Sequence, residues 1–235
     1  MLEKPTVLMV DIGGSNVKIR VGGSEEMRKF PSGRELRADE MVQEVQKLAD
    51  TWVYDCVSIG FPGLICDGKP TREPLNLGGG WLDFDYEKAF GKPVRMINDA
   101  ALQALAVYQG GRMLFIGFGT SIGCGLVADG TLTTVEVGLI PLKDDRTFME
   151  RLNKDSLRKR GAKRWSRDAH IAIALLRDVF WPDEVVIGGG NAKHIEPPPE
   201  NCRLTSNHNA FHGAERLWPG ADMLAAPHGT TWRIK

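Results

Sequence analysis

The sequence predicts a mixed α/β chain, and two observations predict it. Apolar segments of strand length recur along the chain and several of them run into glycine-rich turns. Between them lie segments whose apolar residues step by three and four, the period of one buried helical face. The length of 235 residues allows one large or two small domains with a sizeable core.

The first element is a hairpin. A strand over 6–10 runs into Asp11-Ile12-Gly13-Gly14-Ser15-Asn16 and then alternates outward through Val17, Ile19 and Val21. This is a strand-turn-strand unit, not the strand-to-helix turn of a P-loop. Its glycines let backbone N–H groups approach an anion closely, and Ser15 and Asn16 add side-chain donors. Asp11 can sit near a metal, and Lys18 adds a positive charge. Taken alone, the same turn reads equally well as an ordinary tight hairpin.

A helix follows over 38–52, where Met41, Val45, Leu48 and Trp52 share a face. A strand over 56–60 leads into 65–81, rich in Gly, Pro and Asn and without a period, which reads as a long functional loop over a cleft. Val94-Arg95-Met96-Ile97 then delivers Asn98-Asp99 to the start of a helix through Leu102, Leu105 and Val107. Asp99 there is either a carboxylate held towards a cleft or a helix cap. A boundary near Tyr108-Gln109-Gly110-Gly111 divides 1–107 from 108–235.

The second part opens on another strand–glycine turn–strand unit over 114–127, containing Gly117, Gly119, Thr120, Ser121, Gly123 and Gly125 and closed by the turn Asp129-Gly130. Residues 151–167 carry Arg151, Lys154, Arg158, Lys159, Arg160, Lys163, Arg164 and Arg167 against Asp155 alone. Such a run reads as the wet face of a helix, or as support for a phosphate chain. Over 169–180 the positions Ile171, Ile173, Ala174, Leu175, Leu176 and Val179 read as a core helix. It leads into a buried strand from Glu184 that ends in Gly188-Gly189-Gly190, where backbone can approach a flat ligand. Two phosphate-sized hairpins, a carboxylate between them and a glycine-rich third strand suggest phosphoryl transfer.

Composition excludes several classes of partner. Lys+Arg and Asp+Glu both number 30, so no global field calls for nucleic acid or a membrane surface. Cys56, Cys66, Cys124 and Cys202 show neither close pairing nor zinc-finger spacing, which suits free thiols in a cytoplasmic setting. The first apolar run is cut short by Asp11, unlike a signal peptide, and no run approaches the length of a membrane span. His170 and His194 have no companions at metal-ligand spacing. His208 and His212 share a helical face at i, i+4 without a third ligand.

The order of segments resembles the hexokinase/actin-like ATPase superfamily and, within it, the ROK sugar kinases, most closely the polyphosphate/ATP glucokinase branch. DIGGSNVK at Asp11, GFPG at Gly60, INDA at Ile97, GFGTSIGCG at Gly117, EVGLIPL at Glu136 and VVIGGG at Val185 carry the likeness. The resemblance implies a two-lobed ribonuclease H-like (actin/hexokinase-type ATPase) fold with a central cleft. The N-terminal lobe would span 1–107 and the C-terminal lobe 108–235. It implies transfer of a phosphoryl group from ATP or polyphosphate to a hexose hydroxyl, with Asp99 as the catalytic carboxylate. The sugar side would be Asn98, Glu136, Asn76 and Gly63. The donor side would be Asp11, Gly13, Gly14, Ser15, Asn16, Lys18, Gly119, Thr120, Ser121, Gly123, Gly189 and Gly190, with Asp11 holding Mg2+ through water.

One departure is clear. Leu139 stands where the family has a sugar-contacting histidine, and charged sequence from Lys143 replaces its cysteine-rich zinc loop. Zinc is therefore not expected, and the acceptor stays open. A kinase of another small hydroxylated acceptor and a catalytically silent nucleotide-binding protein are the alternatives. A sugar-responsive repressor would need a DNA-binding region ahead of the first hairpin, where five residues precede the strand. The expected partner is a small-molecule sugar, with no nucleic acid and no membrane; a homodimer is compatible with the resemblance. Residues 207–216 resemble the family's final helix, and 219–235 read as partly unstructured.

Overall fold

The computed structural model describes residues 4–205, 210–218, 225 and 229–234. In chain order, β1 (Val7–Ile12), β2 (Asn16–Val21) and β3 (Met27–Pro31) precede α1 (Ala38–Leu48), β4 (Cys56–Phe61), β5 (Ile65–Cys66) and β6 (Lys69–Pro70). Next come α2 (Tyr86–Phe90), β7 (Val94–Asn98) and α3 (Asp99–Val107). The second half holds β8 (Met113–Phe118), β9 (Ile122–Ala128), β10 (Thr131–Thr134), β11 (Pro141–Lys143), β12 (Arg146–Thr147), α4 (Phe148–Leu152), α5 (Lys154–Arg160), α6 (Ala162–Phe180) and β13 (Glu184–Gly188). β14 (Cys202–Leu204), α7 (Ala210–Glu215) and β15 (Thr231–Arg233) follow.

β1 is apolar at every position except Asp11, and that pattern is explained by cover on both faces. Val7 and Met9 point into a cluster shared with α3 and α7, whereas Leu8, Val10 and Ile12 point into a second cluster under α1 and α2. The sheet order is β3-β2-β1-β4-β7, with β1/β2 and β2/β3 antiparallel and β1/β4 and β4/β7 parallel. The second large sheet repeats this order as β10-β9-β8-β13-β14 and adds β15 beside β10. Its β8 alternates likewise, Met113 and Phe115 facing the shared cluster and Leu114, Ile116 and Phe118 facing the cover of α6. The two sheets therefore share one apolar layer built on α3, in which Leu102 and Leu105 are both almost wholly buried. Each such leucine contributes roughly 1.5–3 kcal/mol of burial.

Gly213 allows α7 to close on α3, since a Cβ there would lie 2.1 Å from the Leu102 carbonyl oxygen. The chain just past α7 is tied back to the first sheet. Trp218 Nε1 donates to Ser58 Oγ at 2.8 Å, and Ser58 Oγ donates to the Ala214 carbonyl at 2.8 Å.

Several sequence expectations are corrected here. α1 ends at Leu48 rather than at residue 52. The chain turns at Ala49, and Trp52 lies instead against the Arg28 guanidinium, 4.1 Å from its ring centre. The loop over 65–81 contains the small hairpin β5–β6, whose turn uses Asp67 and Gly68 at positive φ. α6 begins at Ala162, seven residues before the expected start, and only part of it is core. Ile173 and Leu176 are buried, but Ile171, Leu175 and Val179 are 51%, 40% and 63% exposed.

The basic run is not one wet face. Arg151 and Arg160 converge on the buried Asp168, at 3.7 and 2.6 Å, and Arg151 also bonds Asp144. Lys154, Arg158, Lys159, Lys163, Arg164 and Arg167 stay exposed. In the C-terminal tail β15 pairs with β10 in antiparallel register, so residues 231–233 are structured. Most of the tail, and His208, lie outside the described residues.

Candidate active site

Parallel strands bring their C-terminal ends to one rim, and the candidate site is built on that rim in both sheets. Asp11 is the penultimate residue of β1, Asn98 ends β7 and Asp99 opens α3, with β4 between the two strands. The register sets Asp11 beside Gly60, and Gly60 beside Ile97. Gly60 is needed there: a Cβ would lie 2.9 Å from Leu102 Cδ2 and 3.7 Å from both Asp11 Oδ1 and the Asp99 Cα. A glycine in the middle strand thus lets two carboxylates face each other across it.

The first hairpin is closed by Gly13 N–H donating to the Asn16 carbonyl at 3.0 Å, and Ser32 Oγ donates to the Gly13 carbonyl at 2.6 Å. Across the hairpin Lys18 pairs with Asp11, Nζ to Oδ2 3.8 Å. The second hairpin approaches the first so closely that a Cβ on Gly14 would lie 3.1 Å from the Thr120 methyl. Its tip is closed by Gly119 N–H donating to the Ser121 carbonyl at 2.9 Å. Gly189 passes directly beneath Phe118 with φ of +90°. Asn191 then fixes the tip, its backbone N–H donating to the Phe118 carbonyl at 2.9 Å and its Nδ2 to the Gly119 carbonyl at 2.7 Å.

These parts enclose a cleft of about 1000 Å³. Its wall includes Asp11, Gly13, Gly14, Ser15 and Lys18 from the first hairpin, and Gly119, Thr120, Ser121 and Gly123 from the second. It also includes Gly189 and Gly190, and, towards the other end, Gly63, Asn76, Asn98, Asp99 and Glu136. Of the residues anticipated from sequence, Asn16 alone is not in the wall. Its carbonyl closes the turn from behind. Leu139, 66% exposed, is not in the wall either.

Asn98, not Asp99, is the residue that caps α3. Its Oδ1 accepts from Ala100 N–H at 2.9 Å and Ala101 N–H at 3.1 Å, and its Nδ2 donates to the Gly63 carbonyl at 3.0 Å. The capping role weighed for Asp99 is therefore filled by its neighbour, at a typical worth of about 1 kcal/mol. Asp99 Oδ1 accepts from Ala100 N–H, at 2.8 Å.

Burial pushes the Asp99 carboxyl up to about 7, and the carboxylates of Asp11 and Glu136 add to the rise, against the opposing Ala100 amide. Asp11 is also raised by burial, with Lys18 pulling it back. A carboxyl poised near neutrality, between two anion-sized hairpins, can accept a proton from an acceptor hydroxyl. If it does so, turnover should rise with pH through a midpoint near 7 as Asp99 loses its proton. Glu136→Gln removes one of the charges raising Asp99 and should move that midpoint to lower pH; a pH–rate profile with saturating acceptor checks both statements.

The donor end fits an anion. Ser121 Oγ is buried and finds no hydrogen-bond partner among the described residues, and the exposed Lys154 and Arg158 stand in the same wall. Among the described residues no three His, Cys, Asp or Glu side chains gather as a metal site.

Asn191, His194, Arg72 and Asn153 are among the cleft-lining residues that are not legible as site residues in the sequence. Asn191 directly follows the third glycine of its strand, a signal that could have marked it. His194 ends the 3-10 turn that Asn191 opens, Asn153 caps α5 and Arg72 follows β6, and none of the three carries a local signature.

The ROK family model matches residues 7–141, more than half of the chain. Among curated proteins, the N-acetylmannosamine kinase of Escherichia coli O157:H7 is 31% identical over 150 residues, covering 57% of this chain and 51% of that protein. The chain thus spans about half the length of the curated relatives it matches. Among solved structures, the inorganic polyphosphate/ATP-glucomannokinase of Arthrobacter sp. strain KM superimposes with a TM-score of 0.73 at 21% identity, over 89% of this chain and 96% of that one. A ROK family glucokinase from Streptomyces griseus, solved with glucose and AMPPNP, gives a TM-score of 0.69 at 17% identity, over 89% and 97% of the two chains. The likeness establishes the two-lobed, ribonuclease H-like fold of the actin/hexokinase-type ATPases with its central cleft.

Proposed function

The chain belongs to the ROK family, and on that premise we propose that it is a sugar kinase, transferring a phosphoryl group from ATP or polyphosphate to a hydroxyl of a hexose-type sugar in the manner of a glucokinase. The observation that carries this reading is the position of Asp99: a carboxylate raised to about 7, set across Gly60 from Asp11, in a cleft that both glycine hairpins line.

The geometry supports the following division of labour. Backbone N–H groups of the two hairpins, Lys18 and Ser121 Oγ hold the phosphates, and Mg2+ bound with the donor neutralises their charge. Asp11 would hold that cation beside the phosphates. Asn98 holds the rim rigid and offers its remaining N–H to the sugar, and Glu136 accepts from sugar hydroxyls. Asp99 takes the proton of the attacking hydroxyl as its oxygen bonds to the terminal phosphorus, and the rest of the donor leaves as ADP or a shortened polyphosphate. We place the two lobes at 1–107 and 108–235.

Water in the open cleft would compete as acceptor, so the lobes are expected to close when sugar and donor bind. Small-angle scattering should show a smaller radius of gyration with sugar and a non-hydrolysable donor than with neither. A screen of hexoses and amino sugars with ATP and polyphosphate, in the presence of Mg2+, tests the function itself. Absence of phosphoryl transfer to every sugar would replace this reading with that of a silent nucleotide-binding protein.

A further inference from the structure

α6 meets its own sheet through Trp165, Ala169, Ala172, Ile173 and Leu176. A second apolar line on the same helix is left uncovered among the described residues. Ile171, Leu175 and Val179 stand four residues apart at 51%, 40% and 63% exposure, and Trp181, just past the helix end, is 81% exposed. Residues at that step form one ridge along a helix. Beside Ile171 the ridge borders a shallow hollow of about 450 Å³, lined also by Arg167, His170, Glu196 and Pro197. One exposed aliphatic side chain is ordinary on a protein surface. Three on a single ridge, with a hollow beside them, form a patch of the kind that takes a partner.

The charges on the same face select the partner. Arg164 and Arg167 precede Ile171 by seven and four residues and extend the ridge towards the start of α6, whereas Asp178 follows Leu175 by three and closes it at the other end. All three are exposed. They also oppose the dipole of their own helix. The first turn, where an anion is favoured, holds Lys163 and Arg164 and no acid, and Asp178 lies in the last turn, where a cation is favoured. Its neighbour Arg177 is 4.0 Å away, beyond hydrogen-bonding reach.

We propose that a second copy of this chain covers this face, with α6 packed antiparallel on α6 about a two-fold axis near residues 172 and 173. That register sets Ile171 opposite Leu175 of the second copy and Arg167 opposite its Asp178. It also brings Arg164 to the indole of Trp181, a cation–π pairing. Each contact occurs twice, because a two-fold interface is self-complementary. The antiparallel arrangement also lays each helix end beside the opposite end of the other helix, so the charges that oppose their own dipole suit the partner's. A parallel pairing would instead set Arg164 and Arg167 against their own copies. The interface lies outside the cleft wall and stands apart from the kinase reading.

Sedimentation equilibrium of the whole chain over about a hundredfold range of protein concentration should show wild-type monomer passing to dimer by mass action. Leu175→Glu buries two unpaired carboxylates at the centre of the interface and should raise the dimer dissociation constant by at least about 100-fold. Arg167→Glu and Asp178→Arg, each alone, turn two attractive pairs into two repulsive ones and should raise it about tenfold or more. The two together restore opposite charges across the axis and should return the constant close to the wild-type value. Thermal melts of the dilute proteins check that each variant folds, and Val179→Glu, at a more exposed position, takes the place of Leu175→Glu if that variant does not. A wild type that stays monomeric throughout overturns the inference. So does a dimer that tolerates the ridge variant, or a double charge variant no tighter than either single one.

Discussion

Asp99→Asn is expected to lower turnover by at least about 10²-fold, the lower range for a positioned acid–base group, with donor binding retained. The substitution preserves size, and α3 keeps its cap because Asn98 supplies it. The Ala100 amide also keeps its partner, since an asparagine carbonyl oxygen can take the place of Asp99 Oδ1. Stability should move the other way. A carboxyl raised from the unfolded range to about 7 binds a proton more readily in the folded state. The wild type therefore loses stability as pH climbs from about 4 to about 7, and the loss persists above 7. The substituted amide carries no charge to bury, so the variant should melt higher than the wild type at pH 8 and show no such gain at pH 3.

Joint loss of turnover and gain in Tm identifies a group held in an unfavourable state for its chemistry. Turnover unchanged in Asp99→Asn removes Asp99 from the mechanism. A Tm at pH 8 below that of the wild type would mean that the Asp99 carboxylate stabilises the fold instead.

The parts of the fold that were legible in the sequence are those whose signal is local. The strand–glycine–strand units at Gly13 and Gly119 announce themselves by apolar runs that stop at glycines, and β1 and β8 form there. What was not legible depends on what a segment packs against. Ile171, Leu175 and Val179 keep a helical step, yet the face of α6 that meets the sheet is set by Trp165, Ala169, Ala172, Ile173 and Leu176. Two apolar faces compete on that helix, and periodicity alone does not choose between them. Likewise the composition of 151–167 could not separate Arg151 and Arg160 from the exposed cations around them, because their partner Asp168 lies just beyond the run.

At the site, the adjacent pair Asn98-Asp99 was visible, but which of them caps the helix was not. Both residue types are good caps, and the Gly63 carbonyl that locks Asn98 in place is far away in sequence. Arg72 was lost in a loop without period. Its place in the cleft shows only in the fold, where it lies opposite Glu136.

Gly189→Ala should be the most damaging single-methyl change in the cleft, and its comparison with Gly119→Val separates folding from donor binding. At Gly189 φ is +90°, and a Cβ would lie 2.2 Å from the Phe118 carbonyl oxygen and 2.5 Å from its nitrogen. All the colliding atoms are backbone of β8, so no side chain can turn aside. Strain and overpacking together should cost on the order of 2–4 kcal/mol, with the second hairpin displaced and donor binding lost along with Tm. Gly119 differs. A Cβ there meets only the Ser121 carbonyl oxygen, at 3.8 Å, an ordinary contact, and its backbone is outside the positive-φ region. Gly119→Val should therefore keep the wild-type Tm while its branched side chain stands where a phosphate oxygen would approach the backbone N–H groups. Donor affinity should fall roughly tenfold or more, the worth of one charge-assisted hydrogen bond or greater. Calorimetry with ATP and with polyphosphate, beside a thermal melt, checks the pair. A folded Gly119→Val protein that binds both donors as tightly as the wild type would show that the second hairpin does not cradle the phosphates. The anion-binding role would then fall to the first hairpin and Lys18 alone.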